Sequence, residues 1–282
     1  MKSNGPSAEI SRGERFAFGE NWSRFLEVLD DDRIHEAETS LQTMLGLDRL
    51  SGLTFLDIGS GSGLFSLAAW RLGAKVFSFD YDPQSVVTTL EMRRRYCDNE
   101  SSWRVETGSV LDTEYLSHLG QFDIVYSWGV LHHTGNMWQA MKNITSLVGP
   151  NGKLFVALYN DQELISKFWL NVKRLYCSGR IGRMFIILAF FPYFAMMGLL
   201  GDLLRRRNPK RRYTEYRKNR GMSLTHNWID WLGGYPYETA KPETVFEFYT
   251  ERGFTMTKLI TRQSLGCNEF VFRRAGIRPG DI

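Results

Sequence analysis

Apolar residues run through this chain in three distinct patterns, and each pattern predicts a different element. Short apolar stretches at 53–58, 75–80, 122–128 and 153–159 have the look of strands buried on both faces of a parallel sheet, and 103–107 reads as a further short strand. Aromatic and aliphatic residues recur at helical spacing between 16 and 46, which predicts two helices packed on the core. Segments 83–96, with Pro83 in its first turn, and 136–148 also read as helices, the second closed by the Gly149-Pro150-Asn151-Gly152 turn before the fifth strand. Strands alternating with helices predict an α/β, doubly wound, mostly parallel sheet. A helix at 241–252 and strands at 254–260 and 267–273 complete it.

The first strand runs into F-L-D-I-G-S-G-S-G at 55–63. Glycines at 59, 61 and 63 give a ligand room to lie against main-chain N–H groups, because no Cβ intrudes. Leu64 stands where a dinucleotide fingerprint needs its last glycine, so the spelling is a different one. The second strand ends at Asp80, about 20 residues beyond the loop, where a doubly wound fold places a ribose-binding carboxylate. Tyr81 and Asp82 extend that turn, and Asp82, before Pro83, reads as a solvated turn aspartate.

Composition narrows the picture only a little. The 282 residues carry 35 basic and 31 acidic side chains, a net charge of +4, too small to imply a nucleic-acid partner from totals. Cys97, Cys177 and Cys267 lie far apart with no C-x-x-C pair, which suggests neither disulfides nor a metal site. The first twenty residues are polar and hold Glu9, Glu14 and Glu20, so a cytoplasmic setting is expected. Residues 1–13 read as a loose tail. The expected layout is tail and helices at 1–50, a ligand-binding core at 51–160, an insertion at 161–240 and the closing elements at 241–282.

With Asp57 before Gly59, Ser60, Gly61 and Gly63, the loop resembles motif I of the class I S-adenosylmethionine-dependent methyltransferases. L-H-H-T at 131–134 is similar to the ubiquinone and menaquinone type of small-molecule methyltransferase. The resemblance covers roughly 50–160 and 240–274. It implies a Rossmann-like seven-stranded sheet whose final strand pair is antiparallel to the rest, N-terminal helices over the ligand, and S-adenosyl-L-methionine as a donor that leaves as S-adenosyl-L-homocysteine. Asp57, the loop residues, Asp80, Tyr81 and Trp128 become cofactor contacts. Ser109 stands where the family often has an acid, and with Val110 it is assigned to the adenine. His133 is the expected cleft base, with His132 packing or capping the next helix.

The insertion is far longer than a crossover needs, and such connections are usually functional. Its stretch 184–201 has no charge and nominally meets the length of a membrane span. Strands before and after it must join one sheet, so the topology argues against a single crossing, and Pro192 is expected to kink or split a helix. A buried cap, a re-entrant hairpin and an interfacial helix pair stay open. Arg180 and Arg183 precede the run and Arg205, Arg206, Arg207, Lys210, Arg211 and Arg212 follow it, which suits an anionic membrane surface or phosphates of nucleic acid. Beyond them, 221–238 is rich in aromatics and holds a G-G-Y-P turn, which suits a pocket wall. Within it, His226 and Asp230 are four apart and would share a helix face as base and orienter. The resulting expectation is a methyltransferase acting on a hydroxyl of a small-molecule or glycan acceptor, lipid-linked or quinone-like. It works in the cytoplasm or at the inner face of a membrane. An RNA methyltransferase using 205–212 and a non-catalytic binding module are the alternatives.

Overall fold

The computed structural model describes residues 5–276 apart from 20, 21, 23, 24, 27, 28, 99 and 205–223, with backbone alone at 7, 11, 100, 224–227 and 230. All seven expected strands form: β1 Thr54–Ile58, β2 Lys75–Asp80, β3 Trp103–Thr107, β4 Phe122–Trp128, β5 Val148–Tyr159, β6 Phe254–Ile260 and β7 Cys267–Arg274. They make one sheet in the order β3-β2-β1-β4-β5-β7-β6. Pairs among β1 to β5 are parallel, β7 is antiparallel to β5, and β6 is antiparallel to β7. Only β7 therefore opposes the other strands; the expectation that both final strands do so is corrected. Because β7 inserts between β5 and β6, the hairpin returns β6 to the common direction.

The helices are α1 Pro6–Ser11, α2 Asp31–Leu45, α3 Leu64–Arg71, α4 Pro83–Tyr96, α5 Thr113–Ser117, α6 Met137–Thr145, α7 Leu164–Cys177, α8 Arg180–Leu204, α9 Leu224–Gly233 and α10 Pro242–Thr250. Strand alternation sorts the core into two layers. Phe55, Tyr126 and Phe155 face Leu41, Leu67 and Met92 of the first helices, whereas Leu56, Val125 and Leu154 face Ile144, Val245 and Tyr249. Fully burying each such side chain stabilises the fold by roughly 1.5–3 kcal/mol. α2 is bounded by its own sequence: the Asp30 carboxylate accepts from the Arg33 N–H at 3.0 Å, and Gly46 closes it at φ 63°.

Three local expectations change. β5 begins at Val148, so the 149–152 turn lies inside the strand, where the register with β4 shifts between Phe122 and Ile124. Part of the expected loose tail is the helix α1. α8 runs unbroken through Pro192.

The chain moves outward from β1 to β3 and then crosses back to β4, so the topological switch point falls between β1 and β4. Ligands bind outside the carboxyl ends of the strands at such a point.

Candidate active site

Gly59, Gly61 and Gly63 sit at φ 77°, 56° and 79°, a left-handed backbone that suits glycine. Beneath the loop, the Asp80 carboxylate accepts the Gly61 N–H on one oxygen and the Asp82 N–H on the other, both at 2.9 Å. Burial pushes its pKa up to about 6 against the pull of those two bonds. A carboxylate has about four acceptor positions, so Asp80 holds the loop and keeps capacity for ribose hydroxyls. Ser60 turns its hydroxyl away to Thr89 at 2.9 Å, leaving its backbone as the part that can line a ligand.

Asp57 does not face the cradle. It is 2% exposed and ends an internal relay in which Trp103 donates to Ser78, Ser78 bonds Ser66 and Ser66 donates to Asp57 at 2.5 Å. The relay ties β1, β2, β3 and α3 together below the loop. Desolvation raises the Asp57 pKa to about 7. The adenine assignment changes similarly: Val110 packs its side chain into the core, and its carbonyl accepts from Asn143 at 2.9 Å. The Ser109 hydroxyl caps the Leu111 N–H at 3.2 Å.

An N-terminal strap crosses the carboxyl ends of the strands. Glu9 pairs with Arg15 at 2.8 Å and accepts the Tyr81 hydroxyl at 2.9 Å, while the Arg15 guanidinium lies 4.8 Å over the Tyr81 ring. Tyr81, expected at the cofactor, thus anchors the strap, and desolvation followed by Glu9 pushes its pKa up to about 12. Gly19 donates to Asp82 at 2.9 Å, and the same carboxylate caps Gln84 at the start of α4. Asp82 is therefore a clip as well as a cap, not a solvated turn residue. A Cβ on Gly61 would lie 3.0 Å from the Trp22 indole, so Trp22 covers the glycine loop. These contacts span scores of residues and have no local spelling; the aromatic spacing of 16–25 is their only trace in the sequence.

At the end of β4, Trp128 is 43% exposed, and its indole bonds Glu269. A Cβ on Gly129 would meet nothing within 4 Å, so the strand end opens into space. Of the two histidines that follow, His132 is fully buried and His133 is 8% exposed. His132 receives the Tyr159 N–H on Nδ1 at 3.3 Å. His133 donates from Nδ1 to the Pro236 carbonyl at 2.6 Å, and its ring packs 4.9 Å from that of Phe18. A carbonyl can only accept, so Nδ1 carries the hydrogen and Nε2 presents a lone pair. Among the described residues, nothing bonds that Nε2. Desolvation lowers both histidines, His133 to about 3.

The insertion closes this side. Glu238 caps α6 by accepting the Met137 N–H at 3.0 Å, and its own N–H donates to the His132 carbonyl. Tyr159 packs against Trp231 and Tyr237, and the buried Lys173 ammonium donates to the Trp231 carbonyl 4.3 Å from that ring. Tyr159, Lys173, Pro236 and Glu238 carry no individual signal in the sequence; only the G-G-Y-P turn hints at them, as a pocket wall. The G-C-N-E-F segment is structural in part: Asn268 donates to Asn160 at 3.1 Å and fastens the β6–β7 turn to the end of β5. His226 and Asp230 fall in α9, but their side chains, like the cluster 205–212, lie outside the described residues.

Residues 56–154 match the model of a methyltransferase domain. The ubiquinone biosynthesis O-methyltransferase of Xanthomonas euvesicatoria pv. vesicatoria is 30% identical over 135 residues, 48% of this chain and 52% of that protein. The chain spans about half the length of the curated relatives it matches. Magnesium protoporphyrin IX methyltransferase from Synechocystis PCC 6803, with bound S-adenosylhomocysteine, superposes with a TM-score of 0.51 at 13% identity over 86% of this chain and 83% of its own. An O-methyltransferase family protein from Burkholderia thailandensis gives 0.54 at 12% identity, covering 95% of this chain and 67% of its own. At such identities the likeness is one of fold.

Proposed function

We propose that this chain, which carries a class I S-adenosylmethionine-dependent methyltransferase domain, moves a methyl group to a hydroxyl of a small-molecule acceptor. The observation that carries the reading is the His133–Pro236 bond at 2.6 Å, which leaves a basic nitrogen near the switch point. The similarity to the Xanthomonas ubiquinone biosynthesis O-methyltransferase supports an oxygen acceptor.

The residues present fit the donor. A glycine cradle with left-handed φ, the Asp80 carboxylate, the Ser109 backbone and the open space at Gly129 are what a ribose, an adenine and an amino-acid tail require. When bound, S-adenosylmethionine supplies an electrophilic sulfonium methyl. Asp80 would accept from the ribose hydroxyls, and the strap from Glu9 to Trp22 would exclude water, which strengthens every polar contact beneath it.

His133 Nε2 would take the proton of the acceptor hydroxyl. A desolvated imidazole is a weak base, but a hydroxyl becomes strongly acidic as its oxygen gains a methyl group. A base fixed in tautomer and reach is then sufficient. Holding acceptor and donor near attack distance supplies much of the remaining acceleration.

Calorimetric titration with S-adenosylhomocysteine tests the cofactor half of this reading. Binding by the wild type that weakens in Asp80→Ala is expected, and equal affinity of the two proteins contradicts it.

A further inference from the structure

α8 is uncharged from 184 to 201 and yet barely covered. Only 11% of its most apolar eighteen-residue stretch is buried. Gly182, Ile186, Phe190, Phe194, Gly198 and Asp202 form the face that packs inward. On a soluble protein the opposite face would be polar. Here it carries Ile181, Met184, Phe185, Leu188, Leu199 and Leu203, all more than half exposed. α7 continues the surface with Leu164, Ile165 and Phe168, exposed by 77%, 53% and 52%. An apolar area of this extent on a protein surface marks an interaction site.

Charge identifies the occupant. Between Glu163 and Asp202 the sequence contains no acidic residue, while Lys167, Arg174, Arg180 and Arg183 are all exposed on α7 and α8. Two copies of this face brought together would oppose like charges, which disfavours a dimer. At the α7–α8 turn, an open groove of about 450 Å³ is lined by Leu175, Ile181 and Phe185 beside Arg180. Apolar walls beside one cation at a helix N-terminus suit an acyl chain and its phosphate.

A single crossing is opposed by the topology, because β5 and β7, which precede and follow α8 in the chain, pair in one sheet, and α8 also packs on its neighbours. Phe190 and Phe194 pack on Trp169 of α7, and Phe191 packs on Trp228 of α9, so one face is held by protein along much of its length. A helix of 25 residues is roughly 37 Å long at 1.5 Å per residue, which gives its exposed side a long line of contact.

We propose that the exposed face of α7 and α8 docks in the interfacial layer of an anionic lipid bilayer, with α8 in the membrane plane and Lys167, Arg174, Arg180 and Arg183 at the headgroups. Apolar burial and attraction to anionic lipid act together in such docking. It stands apart from the methyl-transfer reading, since no step of that reaction enters it.

Vesicle flotation of the full chain tests this. Phosphatidylcholine vesicles with about one-third phosphatidylglycerol should carry the protein, and vesicles of phosphatidylcholine alone should carry far less. Arg174→Glu/Arg180→Glu should weaken anionic binding at least about tenfold, given the contribution of each basic residue near such a surface. Leu188→Gln/Leu199→Gln/Leu203→Gln should abolish it with the circular-dichroism spectrum unchanged. The charge-reversed protein carries the test alone if the second variant does not fold. Absence of flotation, equal flotation with both lipids, or a dimer in light scattering that the glutamine variant dissolves would overturn the proposal.

Discussion

His133 Nδ1 donates to the carbonyl of Pro236 at 2.6 Å, a bond between residues more than a hundred positions apart that decides which imidazole nitrogen is basic. The turn carrying Pro236 belongs to the insertion and the histidine to the core, so the insertion sets the tautomer of the core's candidate base. His133→Ala should lower kcat by roughly 10²–10⁴-fold, the usual contribution of a general base. The dissociation constant for S-adenosylhomocysteine should hardly change. Steady-state kinetics beside calorimetry read the two effects separately, and a change confined to binding would remove His133 from the chemistry.

With its pKa lowered to about 3, His133 stays neutral throughout the ordinary working range. The rate should therefore show no inflexion at the usual histidine value near 6.5. Asp80, raised to about 6, supplies a different one. Its ionised form is the better acceptor for ribose hydroxyls, so cofactor affinity should fall as pH drops through about 6. In Asp80→Asn the affinity should be weaker and flat with pH, and titrations at a series of pH values distinguish the two proteins.

Asp57 makes a prediction about stability. Its proton is held in the folded chain up to about pH 7, against an ordinary value of 3.8. Between those values the unfolded chain ionises while the folded chain does not, so this group costs stability as pH rises across that window. Asp57→Asn keeps an oxygen for Ser66 and removes the cost. Its advantage over wild type in urea denaturation should be near zero at pH 4 and reach on the order of a few kcal/mol by pH 8, since each pH unit across that window contributes about 1.4 kcal/mol. An advantage that is constant with pH would contradict the raised pKa.

The strap should respond to Arg15→Ala. That side chain bonds Glu9, lies over Tyr81 and donates to the His133 carbonyl at 3.0 Å. Hydrogen bonds of a charged group contribute roughly 1.5–3 kcal/mol. Faster limited proteolysis ahead of residue 30 and weaker cofactor binding are expected together. Gly61→Ala acts on the same contact from the other side, by strain at φ 56° and by crowding Trp22.

Much of the fold is legible in the sequence, and the reason is local. Strands β1, β2, β4 and β5 announce themselves by apolar runs that stop at glycine, at Asp80 or at Asn160-Asp161, and the glycine loop needs no partner to be recognised. What escapes depends on distant contacts. Apolar periodicity gives β6 its existence but not its direction, which follows from where β7 inserts. Asp57 lies within the motif and Val110 just beyond β3, yet both point into the core, because their packing against α3 and α6 decides their side. The Phe18–His133 and Arg15–Tyr81 contacts have no signature at either end. Pro192 suggests a break, but α8 accommodates it.

The most direct test of methyl transfer supplies S-adenosylmethionine with a labelled methyl to a cell extract, followed by separation of lipid, small-molecule, glycan and RNA fractions. The predicted result is an alkali-stable O-methyl product among the small molecules or lipids, made by the wild type and lost in both His133→Ala and Asp80→Ala. Label in RNA, or no label in any fraction from a protein that binds the cofactor, would contradict it.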